Sequence, residues 1–315
     1  MTRRGFLNID KPRGMTSFDV VKRVRRAAGV RRVGHAGTLD PNATGVLPIA
    51  VGDATRFVDE LVDARKRYRG VIALGVATDT YDADGEVTAE RDASSVTWEA
   101  VEAALAPLRG AFEQAPPAFS AVKRDGVPAY RAARQGEPHE LEPRPVTVYA
   151  LEAVAFEGLG TPRPRVTVEL ECAKGFYVRS LAHDLGTALR VGGMLAELAR
   201  TAVGPFTLAD ATPLAVAEAL LGAGEGEGVV HAPDAVLASW PAIILGRQQT
   251  AEVRQGRDVI AMPRRDFRPS ERVERARAYG PEGELVALLR PAHILGAWHP
   301  YRVLPVVRAM APASV

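Results

Sequence analysis

Three side chains in this 315-residue chain have the type and setting to do chemistry. Asp40 precedes a proline inside Val33-Gly34-His35-Ala36-Gly37-Thr38-Leu39-Asp40-Pro41-Asn42-Ala43-Thr44-Gly45, a segment with three glycines and one proline. An aspartate before proline projects from a fixed bend, where its carboxylate can act or can simply form the turn. Tyr68 stands within Arg65-Lys66-Arg67-Tyr68-Arg69, and an aromatic ring among cations suits stacking on a base while neighbours hold phosphates. The alternative is a tyrosine at the edge of a core. In Gly175-Phe176-Tyr177-Val178-Arg179, period-two alternation places Tyr177 and Arg179 on one face of a strand. That arginine could pair with a buried carboxylate or stay solvated. His35 reads either as a base contact or as a structural loop histidine.

The elements that must position these residues follow from local pattern. Phe6 to Asp10 alternates like a strand, and Lys11-Pro12-Arg13-Gly14 breaks it. Thr16 and Ser17 offer caps for a helix ending near Gly29, with Phe18, Val20, Val21 and Val24 as its buried stripe. Val46 to Val51 and Arg69 to Ala77 read as strands, Thr55 to Val62 and Thr97 to Leu108 as helices. Val146 to Phe156 and Val166 to Cys172 are further strands; Leu181 to Leu189 and Met194 to Leu198 read as helical. Residues 114–145, richer in Pro, Gly and charge, read as an insertion, and Gly222 to Gly228 as a flexible loop. A boundary near Ser239 divides residues 1–238 from a small β-rich domain, 239–315, whose apolar runs are split by Gly and Pro.

Composition narrows the class. At 47% hydrophobic and 25% charged the chain is an ordinary globular protein of about two domains. No apolar run approaches a membrane span, and the first residues meet an acid before a signal core could form, so a cytoplasmic location is expected. One cysteine and six scattered histidines argue against a disulfide framework or a metal site. Net charge is only +2, yet residues 1–70 hold 15 Lys/Arg against 7 Asp/Glu and residues 239–315 hold 12 against 7. Two basic ends around an acidic centre suit a polyphosphate partner, although clusters such as Lys22-Arg23-Val24-Arg25-Arg26 also read as solvated helix faces. Walker, dinucleotide-binding, nucleophile-elbow and zinc-protease signatures are absent. The residues alone reach an RNA- or phosphate-facing protein with one well-presented aspartate.

The segment Gly34 to Pro48 closely resembles the bacterial TruB family of tRNA pseudouridine-55 synthases. Further family elements follow in order: Asn8-Ile9-Asp10-Lys11-Pro12, Lys66-Arg67-Tyr68, Thr78-Asp79-x-x-Asp82-x-Asp84-Gly85 and Pro116-Pro117-x-x-Ser120-Ala121-x-Lys123. Tyr130-x-x-Ala133-Arg134-x-Gly136, Gly175-x-Tyr177-x-Arg179-Ser180-Leu181-x-x-Asp184-Leu185-Gly186 and Leu198-x-Arg200-Thr201 complete the series. The tail resembles a PUA-like RNA-binding domain more weakly.

The resemblance implies an α+β fold: a mixed, largely antiparallel pseudouridine-synthase sheet with flanking helices, plus a small C-terminal β-rich PUA-like domain. It implies isomerisation of uridine to pseudouridine at position 55 in the T loop of tRNA, by a monomer, without cofactor, metal or membrane. Asp40 is then the nucleophile, Arg179 its cation and Tyr68 the ring stacking on the flipped uracil, with the adduct open between C6 of the base and C1′ of the sugar. His35 would contact the RNA loop that the base leaves, and Tyr177 and Leu198 would line the uracil pocket. Lys11, Arg56, Lys66, Arg67 and Lys123 are candidate RNA contacts, and the 114–145 insertion matches the family's RNA-gripping segment. Arg56 stands where the family commonly has lysine, and Phe176 where it often has threonine. Two other readings compete. One is a tRNA-binding or folding module whose chemistry is secondary; the other is a carboxylate hydrolase using Asp40 with His183 and Asp184.

Overall fold

The computed structural model describes residues 5–120, 122–124, 126–135, 141–262 and 274–304. The chain divides into two compact units, 1–233 and 234–315, slightly before the boundary expected near Ser239. The first unit is built on an eleven-stranded mixed sheet. At its centre run Gly5–Lys11, Thr44–Val51, Gly193–Val203, Lys66–Leu74, Arg165–Cys172 and Arg144–Glu157, hydrogen-bonded in that order. Most neighbours are antiparallel, and Thr44–Val51 lies parallel to Gly193–Val203. The second unit holds a five-stranded sheet and the helix Arg247–Arg254 around Ile243, Val253, Val286 and Trp298. The mixed α+β architecture with a β-rich C-terminal unit is the one expected.

Helices cover the first sheet in two groups, because the sheet has two apolar patches. Helix Ser17–Ala28 brings Val20, Val21 and Val24 onto Leu7, Ile9, Leu47 and Ile49, and Leu214 and Ala217 of helix Leu214–Ala223 join them. Helix Val178–Ala188 brings Val178, Leu181, Ala182 and Leu185 onto Ile72, Val166, Val168 and Leu170. Tyr68 and Leu198 pack against both clusters, so they mark the seam between the two cores.

Three local expectations are corrected. Met194 to Leu198 is not helical but part of strand Gly193–Val203; its Leu, Met, Ala and Glu favour helix, and pairing with Lys66–Leu74 overrides that preference. Phe18 is 55% exposed, because Ser17 takes the buried place in the stripe 17, 20, 21, 24, 28. Arg179 does not lie on a strand. Gly175, at φ +86°, turns the chain, and a helix begins at Val178 with Tyr177 as its N-cap. Five residues of alternation cannot distinguish a strand from an extended approach to a helix whose 3.6-residue pattern starts beyond them.

Candidate active site

Asp40 stands in the bend between strands Val33–His35 and Thr44–Val51, and four residues fix that bend from beneath. The Ser17 hydroxyl donates to the Leu39 carbonyl at 3.0 Å and accepts from the Leu39 N–H at 2.8 Å. The Lys11 ammonium donates to the carbonyls of Pro41, Pro12 and Met15 at 3.0, 3.0 and 2.8 Å. Arg200, 1% exposed, donates from Nε to the Val46 carbonyl at 2.8 Å and from Nη2 to that of Gly37 at 3.1 Å. Gly45 crosses over Arg200 at φ +95°, and a Cβ there would lie 2.3 Å from the Arg200 carbonyl oxygen, so this crossing accepts only glycine. The bend is therefore held by its backbone, which leaves the Asp40 carboxylate uncommitted to the turn.

That carboxylate meets Arg179, whose Nε lies 3.0 Å from Asp40 Oδ2 and 3.6 Å from Asp82 Oδ2. The Arg179 side chain is 8% exposed and that of Asp40 45%. The rest of the guanidinium is used as well. Nη1 donates to the Thr80 carbonyl and Nη2 to the Phe119 carbonyl, each at 3.1 Å. With every edge engaged, Arg179 presents its charge to Asp40 in one orientation. A small open cleft adjoins the pair, lined by Asp40, Asn42, Asp82, Arg179, Leu195 and Leu198 among others. Asp84, linked to Asn42, is pushed up from the usual carboxylate range by burial and by its neighbour Asp82.

Tyr68 lies opposite Arg200 on the adjoining strand. Burial pushes its phenol up, and the Arg200 guanidinium partly offsets this, so the hydroxyl stays protonated at neutral pH. The half-buried ring sits at the seam beside Leu198, and Asp40 is near enough to act on its hydroxyl electrostatically. Tyr177 is fixed through its backbone, its N–H donating to Gln114 Oε1 at 2.9 Å and its carbonyl accepting from Gln114 Nε2 at 3.1 Å. Burial raises its phenol too, and Arg179 and Asp40 both act on it. His35 pairs with Ile49 at the strand end leading into the bend, and burial followed by Arg200 lowers its imidazole.

The expected phosphate contacts divide. The ammonium groups of Lys11 and Lys66 are turned inward; Lys66 donates to the carbonyls of Val62 and Ala64 at 2.8 and 2.7 Å. Burial brings both down to about 8. Both ammonium groups brace backbone carbonyls in this structure. Arg67 alternates away from Tyr68 onto the exposed sheet face, where Glu171 lies 4.0 Å from its Nε, between the pairs Arg65–Glu171 and Arg69–Glu169. Arg56 is exposed on the 3₁₀ turn Gly52–Phe57. The Lys123 side chain lies outside the described residues, as do residues 121, 125 and 136–140 of the insertion.

The spacing pointed to Asp40, Tyr68 and Arg179 but assigned nothing to Asp82, Thr80 or Arg200. Asp82 stood in the family element Thr78 to Gly85 without a role of its own. Arg200, inside an apolar strand, carried one usable signal: a lone arginine between Ala199 and Ala202 that the sheet had to bury. His183 and Asp184, the proposed partners of a hydrolytic Asp40, do not line the cleft.

Sequence comparison decides the class of this cleft. Residues 25–178 match the family described as TruB family pseudouridylate synthase, N-terminal domain, and residues 179–231 match the tRNA pseudouridylate synthase B C-terminal domain. The chain belongs to the TruB family. It is accordingly a tRNA pseudouridylate synthase, an isomerase. A TruB relative from Symbiobacterium thermophilum, tRNA pseudouridine synthase B, is 46% identical over 80% of this chain and 82% of its own. The protein of that name from Paenarthrobacter aurescens is 42% identical over 90% of each. Among solved structures, an H/ACA RNP bound to a substrate RNA containing 2′-deoxyuridine shares the fold, with TM-score 0.72 and 24% identity over 96% of this chain and 86% of that one. A Cbf5-Nop10-Gar1 complex aligns at TM-score 0.69 with 26% identity, over 91% and 78%.

Proposed function

We propose that this TruB enzyme isomerises the uridine at position 55 in the T loop of tRNA, with Asp40 as nucleophile. The observation that carries the reading is the Arg179–Asp40 ion pair at 3.0 Å, held at the floor of an open cleft by a guanidinium that has no other orientation available. A carboxylate is the attacking form, and a buried arginine keeps it aimed as the glycosidic bond comes within reach.

A uridine stacked in a folded loop hides its C1′ and C6 atoms, so it must be extruded, at a cost of a few kcal/mol. In the proposed complex the uracil lies against Leu198 with Tyr68 stacked on its face, between the two cores. His35 and Tyr177 then border the RNA around the vacated position. After the bond from N1 to C1′ breaks, the base rotates, C5 bonds to C1′, and the C5 proton leaves. The Tyr68 hydroxyl relays that departure, taking up the C5 proton as its own proton passes to water, with the Arg200 guanidinium offsetting negative charge on the oxygen between the two transfers. Asp82 shares Arg179 with Asp40 and steadies the cation while Asp40 is engaged with substrate.

The test is pseudouridine mapping on unmodified tRNA without added cofactor. A single product at the T-loop position is expected from the wild type. Asp40→Asn should form none while binding tRNA within several-fold of the wild type. Turnover by that variant would end the nucleophile assignment, and a cleaved strand or released uracil would point to hydrolysis. The RNA-folding reading predicts that the same inactive variant still speeds tRNA folding in a mixing assay.

A further inference from the structure

Tyr81 adopts φ +63°, a left-handed backbone conformation that bulky L residues rarely occupy unless neighbouring contacts hold them there. The residues on either side of it both serve Arg179: the Thr80 carbonyl accepts from Nη1, and Asp82 faces Nε. The turn is also tied to the cleft-lining strand, where the Leu195 N–H donates to the Tyr81 carbonyl at 2.9 Å and the Ala83 N–H donates to the Leu195 carbonyl at 3.1 Å. The Tyr81 ring lies on the His183 ring, centroids 4.0 Å apart and planes 16° from parallel. His183 follows Arg179 by four positions, one turn further along the same helix face. One helix face thus grips one short turn twice, through the guanidinium and through the ring stack.

We propose that the Tyr81–His183 stack is a positioning device: it holds Tyr81 in its left-handed conformation and so keeps the Thr80 carbonyl and Asp82 in register around Arg179. The inference rests on the synthase reading for its consequence in catalysis, but the mechanical claim can be measured without it. Neither ring is assigned to touch the reacting base. Both act through Arg179, whose orientation decides where Asp40 points.

Four variants separate the stack from its alternatives. Tyr81→Phe and His183→Phe keep two flat rings face to face and should hold kcat within about twofold. His183→Ala and Tyr81→Gly should lower kcat tenfold or more, with KM for tRNA within about twofold. Tyr81→Gly is decisive, because glycine adopts φ +63° without strain; full kcat in that variant would show the ring to be dispensable and overturn the proposal. A loss confined to KM would show the rings to be RNA contacts and would overturn it equally. Amide hydrogen exchange gives the activity-independent arm. His183→Ala should speed exchange at Ala83 and Leu195 at least tenfold while distant strands such as Arg165–Cys172 stay protected. Unchanged exchange at those two amides refutes the device even if the wild type is fully active. Faster exchange in His183→Ala, alongside a wild type that leaves the T-loop uridine unmodified, would sustain the device and sink the proposed function.

Discussion

At Arg179 a single buried guanidinium serves two carboxylates and two carbonyls, and an arginine so used fixes geometry more than it adds stability. Five positions further along the helix, Asp184 shows the opposite state. It is half-buried, and burial alone pushes its carboxyl up to about 6. A carboxyl whose folded value lies above its unfolded one is costly to fold when ionised, so its penalty is absent below pH 4, grows as pH rises through 6, and is complete at neutral pH. Asp184→Asn should therefore raise unfolding stability by about 1–2 kcal/mol at pH 7 and leave it unchanged at pH 3.5, as read by urea titration. At this scale the bend at Asp40 was legible because proline and glycine punctuate its neighbourhood, while a role for its carboxylate came only with the family resemblance. The backbone acceptors around Lys11 and Lys66 were not legible, because sequence gives the sign of a charge but not whether carbonyls surround it.

Among the elements, strands were legible where apolar and polar side chains alternate, as in Arg165–Cys172. Strand Gly193–Val203 was half hidden, since its shape depends on a partner more than a hundred residues away. Helix Leu214–Ala223 also escaped notice, being apolar around most of its circumference and so without a stripe. The crossing of Gly45 over Arg200 is where one element fixes another. Gly45→Ala should destabilise the first unit by about 3 kcal/mol, through clash and a forbidden backbone angle together. A guanidinium chloride midpoint equal to that of the wild type would show that the two strands can separate without loss.

For the whole molecule, charge is distributed and not summed. The acidic middle of the chain supplies Asp82, Asp84 and Arg179 to the site and the basic first seventy residues supply Asp40 and Tyr68, while the two ends carry the excess of cations. If those cations neutralise even three phosphates, raising salt from 50 to 200 mM should weaken tRNA binding more than tenfold, with log Kd linear in log salt. A flat dependence would assign binding to shape and stacking instead. A boundary near residue 239 was expected from composition and pattern, and the mixed sheet only from the family resemblance; the seam at Tyr68 and Leu198 was in neither, because it exists only where two distant cores meet. The 114–145 segment is rooted on the helix that carries Arg179. Gln114 clasps the Tyr177 backbone, the Ala115 carbonyl accepts from Ser180 Oγ at 2.8 Å, and the Phe119 carbonyl accepts from Arg179 itself. Under the proposed function, a polynucleotide that shifts this segment also shifts what Arg179 bonds to, and thermodynamic linkage runs both ways: whatever steadies the Arg179–Asp40 pair in turn tightens the segment's hold, so grip and readiness to react become one equilibrium seen from two ends.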